Sequence, residues 1–294
     1  MLGAQAVALM RDVFEQPNLL ANSPRIEKRV VAWGPGAKPL AVEHSAVVVS
    51  EDALLAEIRP SGIPEFDPAQ AACWSIFAAR PLPAETVEHC FGSRRGCAAP
   101  VALRDHSEAA ACRIESVDSG WLFLIPNSAR SGWLLAVGDS PEVLLGQSRF
   151  IAPEIAQRGT AGTGAFPAYA RTASPLCGPG WLACGTAAMA FDPICGDGTA
   201  HAIREAILAS AVIRALANGG AAGDLLSHYE ARLTAGFRRH LAICRGFYQT
   251  GGTTPLWSSE LDAIDRGIRW CDAQLSSGAG FGYRLRGLEL EAVR

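Results

Sequence analysis

The stretch Gly185-Thr186-Ala187-Ala188-Met189-Ala190-Phe191-Asp192-Pro193-Ile194-Cys195-Gly196-Asp197-Gly198-Thr199 decides the fold. A short apolar strand, Trp181-Leu-Ala-Cys184, leads into it. A helix from about Ala200 to Ala217 follows, closed by Asn218-Gly219-Gly220. Between Glu205 and Arg214 this helix carries no charge and is rich in Ala and Ile, which predicts near-complete burial. Gly196 and Gly198 have no side chains, so a planar ligand can approach the backbone closely. The turn aims successive N–H groups outward at the positive end of a helix dipole, a place that favours negative charge. Pro193 restrains the loop and sets a rigid apolar ring beside any such ligand. The arrangement suits a flat group that becomes anionic when reduced.

On the C-terminal side, Ser227-His-Tyr-Glu230 has the pattern of a capping box and predicts a helix start. The stripe Tyr229, Leu233, Phe237, Leu241, Cys244 and Tyr248 then marks its buried face. Arg232, Arg238, Arg239 and Arg245 lie off that stripe. They read as a solvated basic face, with an anion or partner site as the alternative. A second, shorter helix is expected over Glu260–Gln274.

On the N-terminal side, residues 111–137 are the clearest β region. Cys112, Ile114 and Ser116 alternate with Arg113, Glu115 and Val117, which predicts a half-exposed strand. Asp118-Ser119-Gly120 turns into Trp121-Leu-Phe-Leu-Ile125, apolar on both faces, and Gly132-Trp-Leu-Leu-Ala-Val137 returns. The result is an antiparallel meander with a buried middle strand. Earlier still, β-branched runs at 29–33 and 45–49 flank the turn Gly34-Pro35-Gly36, and a short helix is expected over Glu51–Ile58. Residues 4–14 read as a helix in which Leu9, Val13 and Phe14 follow Val7. Residues 159–167 form a loop of small residues.

Composition sets the outer bounds. The 294 residues are 49% hydrophobic and 19% charged, with net charge −3. That content excludes a disordered chain, and the mild acidity removes the electrostatic footprint of a nucleic-acid binder. No charge-free stretch of about 18 apolar residues occurs, so no membrane-spanning helix is expected. Met1-Leu-Gly-Ala-Gln-Ala-Val-Ala-Leu-Met10 has no basic flank, and no secretory signal is read there. The 9 cysteines include no C-x-x-C pair. They suit scattered thiols of a reducing compartment, and a cytoplasmic location is expected. No two potential ligands have a recognised zinc spacing, so no metal site is expected.

The segment from Gly185 to Gly198 resembles the second flavin-binding motif of FAD-dependent monooxygenases of the p-hydroxybenzoate hydroxylase-like group, which includes tryptophan halogenases and protein-modifying relatives. That motif reads G-D-A-A, then D-P or P, then G-x-G opening a helix. The resemblance implies that Gly196, Asp197, Gly198 and Thr199 seat the isoalloxazine edge of FAD. By the same resemblance Pro193 walls the ring, Thr186 contacts the sugar-alcohol chain, and the meander around Trp121–Val137 covers the substrate side. From the residues alone, Asp197 either lines the flavin or favours the turn, and Asp192 either braces the loop or touches a ligand. His201, in the first helical turn, is read as packed or solvent-facing, with proton transfer as the alternative. Cys184 and Cys195 are read as packing residues.

Three features depart from the pattern. Thr186 stands where the family has Asp, leaving a neutral hydroxyl in place of a carboxylate. Phe123 replaces the second Trp of the halogenase W-x-W-x-I-P pattern in Trp121-x-Phe123-x-Ile125-Pro126. The G-x-G-x-x-G loop that holds the FAD pyrophosphate is not found: Gly34-Pro-Gly36, Gly159-x-x-Gly162-x-Gly164 and Gly278-x-Gly280-x-Gly282 all fail its spacing or context. The expectation is therefore a chain that begins after the family's first β–α unit.

The expected fold is α/β (α+β). A partial Rossmann-like FAD domain interleaves with a mainly antiparallel substrate-side sheet, followed by C-terminal helices. Residues 1–28 are assigned to the FAD-domain remnant and 29–150 to the sheet. Residues 151–220 carry the second motif and long helix, and 221–294 form the helical end. The expected function is FAD-dependent, monooxygenase-like oxidation of a small aromatic molecule or a protein side chain. NAD(P)H or a flavin reductase would serve as reductant. The alternative is a non-catalytic binding or partner protein of flavoprotein descent, and halogenation ranks below both.

Overall fold

The computed structural model describes residues 1–58, 74–105, 107–159, 162, 164–277 and 281–293. Cys73, His106, Gly278, Gly280 and part of the small-residue loop at 159–167 lie outside the described residues. The fold is mixed α/β, as expected. It divides into two compact units, each assembled from three stretches of chain. The first comprises Met1–Arg59, Gly92–Tyr169 and Cys244–Ala263; the second comprises Pro60–Phe91, Ala170–Ile243 and Ile264–Arg294.

The first unit is built on a nine-stranded sheet. Its order runs Leu2–Gly3, Leu40–Val47, Arg25–Ala32, Ala111–Val117, Gly120–Pro126, Ser131–Gly138, Arg95–Leu103 and Ile155–Arg158. Phe166–Pro167 also pairs with Arg95–Leu103. Arg25–Ala32 runs parallel to Ala111–Val117, and the other pairings are antiparallel. Val101, Leu103, Val117, Leu122, Leu124, Leu134 and Ala136 pack with Leu144 and Ile151 into its core. The meander closes where Gly120 faces Gly138, both at positive φ (148° and 119°). A Cβ on Gly120 would lie 2.1 Å from the Val137 carbonyl oxygen, so only glycine fits that crossing.

The strand Ala111–Val117 corrects the expectation of a half-exposed element. Arg113 and Glu115 are buried as fully as their apolar neighbours. Burial is tolerable because both charges are satisfied. Glu115 accepts the backbone N–H groups of Arg149 (2.8 Å), Phe150 (3.1 Å) and Ile151 (2.8 Å), together with the Ser148 hydroxyl. Arg113 donates to the Ala111 carbonyl at 2.9 Å and pairs with Glu154 at 3.4 Å. In the N-terminal helix Ala4–Val13, the buried stripe is Ala6, Val7 and Met10, whereas Val13 is exposed.

The second unit holds two small three-stranded sheets. One joins Met189–Ala190, Ala170–Ser174 and Val87–Phe91; the other joins Cys177–Gly178, Trp181–Ala183 and Ser75–Phe77. The Gly198–Ala217 helix buries one face through His201, Glu205, Leu208, Ala209 and Val212. The next helix runs Ala222–Gly251 and starts one turn before the capping box. Leu225, fully buried, extends the apolar stripe upstream and carries the helix past Ser227. All six stripe residues from Tyr229 to Tyr248 are buried. Off the stripe, Arg238 pairs with Asp272 and Arg232 lies over the Phe281 ring. The last helix spans Pro255–Ser277, longer than the sequence pattern predicts, and a hairpin of Tyr283–Arg286 and Glu289–Ala292 follows.

Candidate functional site

The six residues expected to seat a cofactor all lie in the second unit, on one strand–turn–helix path. Trp181–Ala183 delivers the chain to Gly185, whose φ of +56° starts the short helix Gly185–Ala188. Thr186 is exposed, and its hydroxyl donates to the Ala78 carbonyl at 3.4 Å. Asp192 is 2% exposed and its Oδ1 accepts the Ile194 N–H at 3.0 Å, so it caps the single turn Pro193–Cys195. That turn ends on Gly196 in the left-handed conformation (φ 66°, ψ 21°), which a residue without a side chain adopts at no steric cost.

Asp197 occupies the N-cap of the Gly198–Ala217 helix but makes no cap hydrogen bond with its side chain. Its Oδ2 lies 3.0 Å from His201 Nε2 instead, one turn along the helix. Burial pushes the Asp197 carboxyl up. The His201 hydrogen bond and the positive charge of His201 and His240 outweigh that push and hold it below the ordinary value. The first-turn amides are thereby left without their usual side-chain acceptor. Gly196, Gly198 and Thr199 are exposed, and a Cβ added at Gly198 would meet nothing within 4 Å. The rim is open and donor-rich, and it fits the anionic edge of a flat ligand.

Behind the rim stand three aromatic rings. Phe191 stacks on His201 with centroids 4.2 Å apart at 20°, and meets His240 edge-on at 4.8 Å and 80°. The sequence reading missed His240. It projects from the buried side of the Ala222–Gly251 helix, three residues after Phe237, and is 1% exposed. The apolar stripe on either side of position 240 is the signal that could have placed it.

Asp197, His201 and His240 each bring one potential metal-ligating atom within 4.8 Å of the others. Two of the contacts are made within the protein, while Asp197 Oδ1 is buried with no hydrogen-bond partner among the described residues. His240 Nε2 accepts the Asp192 N–H at 2.9 Å, and Asp197 and His201 hold each other. Hydrogen bonds tie the trio to the loop and the helix that carry it.

The second residue missed is Glu205, 7% exposed. Its Oε2 accepts the Gly185 N–H at 2.7 Å, tying the strand-side turn to the helix that bears the rim. Burial pushes its carboxyl up to about 7. Cys184 is also pushed up, to about 11, by burial and by the Glu205 charge, so it is an inert packed thiol. The spacing of Gly198, His201 and Glu205 places all three on one helical face, and that was readable beforehand.

The sequence matches no protein-family model and no curated protein. The structure does have relatives. It superposes on the myxobacterial chondrochloren halogenase, an FAD-dependent halogenase, with a TM-score of 0.70 at 16% identity, covering 94% of this chain and 81% of the other. The fold is that of the flavin-dependent halogenases. A peptidyl tryptophan dihydroxylase essential for tryptophylquinone cofactor biogenesis gives a TM-score of 0.71 at 16% identity, over 99% of this chain and 77% of its own. The flavin-dependent halogenase CmlS gives 0.67 at 14% identity, over 92% and 62%. Among the described residues, no helix of this chain is long and apolar enough to cross a membrane.

Proposed function

We propose that this chain is an FAD-dependent oxidoreductase of the monooxygenase type. One observation carries the reading: in a halogenase-like fold, the N-cap Asp197 turns to His201 and leaves the helix amides facing an open glycine rim. Gly196, Asp197, Gly198 and Thr199 would hold the isoalloxazine edge, Pro193 would wall it, and Thr186 would meet the sugar-alcohol chain. The residues fit this end of the cofactor. No loop in the sequence is assigned to its pyrophosphate. When bound, the flavin supplies two-electron chemistry and, once reduced, reactivity toward dioxygen. The protein's part is to orient the ring and exclude water with the Phe191–His201–His240 wall.

The substrate class is an aromatic small molecule or an aromatic protein side chain, the latter by analogy with the peptidyl tryptophan dihydroxylase. NAD(P)H or a flavin reductase would reduce the ring. Scattered cysteines with no C-x-x-C pair among them support a reducing compartment, and we place the protein in the cytoplasm. Halogenation ranks lower, because Phe123 occupies the second Trp position of the halogenase strand.

The competing reading is a binding protein without catalysis. It is favoured by Thr186, a neutral hydroxyl already donated to Ala78. Colour separates the two. Protein mixed with FAD and passed through gel filtration should emerge yellow, with a raised melting temperature. A colourless protein whose melting does not respond to FAD would leave the binding-protein reading.

A further inference from the structure

We propose that Glu205 is the positioning residue of the cofactor-binding turn: by accepting the Gly185 amide it latches the Gly185–Ala188 segment onto the helix that bears the glycine rim. This rests on the flavin reading above, and it adds a residue and a control that the motif itself does not contain.

The geometry is specific. Gly185 sits at φ +56°, and the residue before it, Cys184, supplies no side-chain cap to the short helix that follows. The Gly185 amide is therefore held from elsewhere, by Glu205 Oε2 at 2.7 Å. Glu205 stands seven residues beyond Gly198 on the same helix, about 10 Å along its axis. One rigid element thus fixes both the rim that meets the ring edge and the turn that presents Thr186. A shift of either part relative to the other would misalign the two ends of one ligand.

The latch also has a charge state. The groups acting on Glu205 are the burial itself and the Gly185 amide. Cys184 and Tyr229 face it from the strand-side turn and from the Ala222–Gly251 helix. Both of those are raised well above neutrality and stay protonated, Tyr229 donating to the Ala183 carbonyl at 2.6 Å. Glu205 is thus the group in this cluster that titrates near pH 7. Burial favours its protonated form, so any opening that hydrates it is coupled to proton release. The closed latch therefore weakens as pH rises from about 4.5 to about 7 and levels off above.

The test compares wild type with Glu205→Gln, an uncharged isostere that still offers an oxygen to Gly185, and with Glu205→Ala. Two quantities are measured at pH 6 and pH 8.5: hydrogen exchange of the 183–190 segment, corrected for intrinsic rates, and FAD affinity. In the wild type, protection and affinity should both fall on the order of tenfold at the higher pH. Glu205→Gln should remove the difference between the two pHs, and Glu205→Ala should lose protection at both. Equal pH profiles in wild type and Glu205→Gln would overturn the latch. If the exchange behaves as expected but FAD binds at neither pH, the latch stands and the flavin reading fails.

Discussion

Asp197 occupies the N-cap of the Gly198–Ala217 helix, yet its carboxylate lies 3.0 Å from His201 Nε2 and leaves the helix's own amides uncapped. Removing the histidine should return the carboxylate to those amides. In His201→Phe, which keeps a ring against Phe191, a restored cap is worth about 1 kcal/mol and offsets the lost pair. Folding stability should change by less than about 1 kcal/mol. FAD affinity should fall about tenfold as the carboxylate competes for the donors. Urea unfolding and a flavin fluorescence titration of the same variant measure both.

Glu205 makes stability depend on pH. In the folded protein its carboxyl keeps its proton to about pH 7, whereas the unfolded chain releases it near 4.5. The folded state binds more protons across that window, so stability should fall as pH rises from 4.5 to about 7 and level off above. The full drop attributable to this residue is about 3 kcal/mol at most. Glu205→Gln should remove that slope in urea titrations across pH 5–8.

The facing glycines of the meander leave no room for a side chain. Gly120→Ala would bring a Cβ to 2.1 Å from the Val137 carbonyl oxygen, and Gly138→Ala to 2.2 Å from that of Ser119. Each also forces a side chain onto a positive φ. Either substitution should cost about 2–4 kcal/mol, read as a lower denaturation midpoint. Gly146→Ala, where a Cβ meets nothing within 4 Å, is the control.

Arg94 and Glu260 form a buried ion pair at 3.0 Å, with Ser93 donating to the same carboxylate through N (3.0 Å) and Oγ (2.8 Å). The Arg94 guanidinium lies 4.0 Å from the centre of the Tyr248 ring. Glu260→Ala removes one partner of a buried ion pair and should cost about 3–5 kcal/mol. Replacing both partners by apolar residues of similar volume, Arg94→Met with Glu260→Leu, should recover most of that loss. Comparing the two variants by chemical denaturation checks the asymmetry.

Much of this molecule is legible in its sequence, and the parts that are not share a cause. The meander, the long helix and the strand–turn–helix at 181–217 follow from periodicity and glycine placement, which act locally. Arg113 and Glu115 mislead because alternation predicts a solvent face. Their partners, Glu154 and the amides of 149–151, come from a segment more than thirty residues away. His240 and Glu205 are hidden for the same reason: each is polar on an apolar stripe, and only the tertiary fold reveals the amide each one accepts, Asp192 and Gly185. Thr186 and Asp197 are visible as residues, but the direction of their side chains is not.

Gly198 offers the most direct measurement of the central claim. A Cβ there meets nothing within 4 Å, and a helix's first position tolerates valine at small cost. Gly198→Val should therefore melt within a degree or two of the wild type while blocking the rim that seats the ring. FAD titrated into both proteins should bind the wild type and bind the variant at least tenfold more weakly. Equal binding by the two, or none by the wild type, would contradict the account.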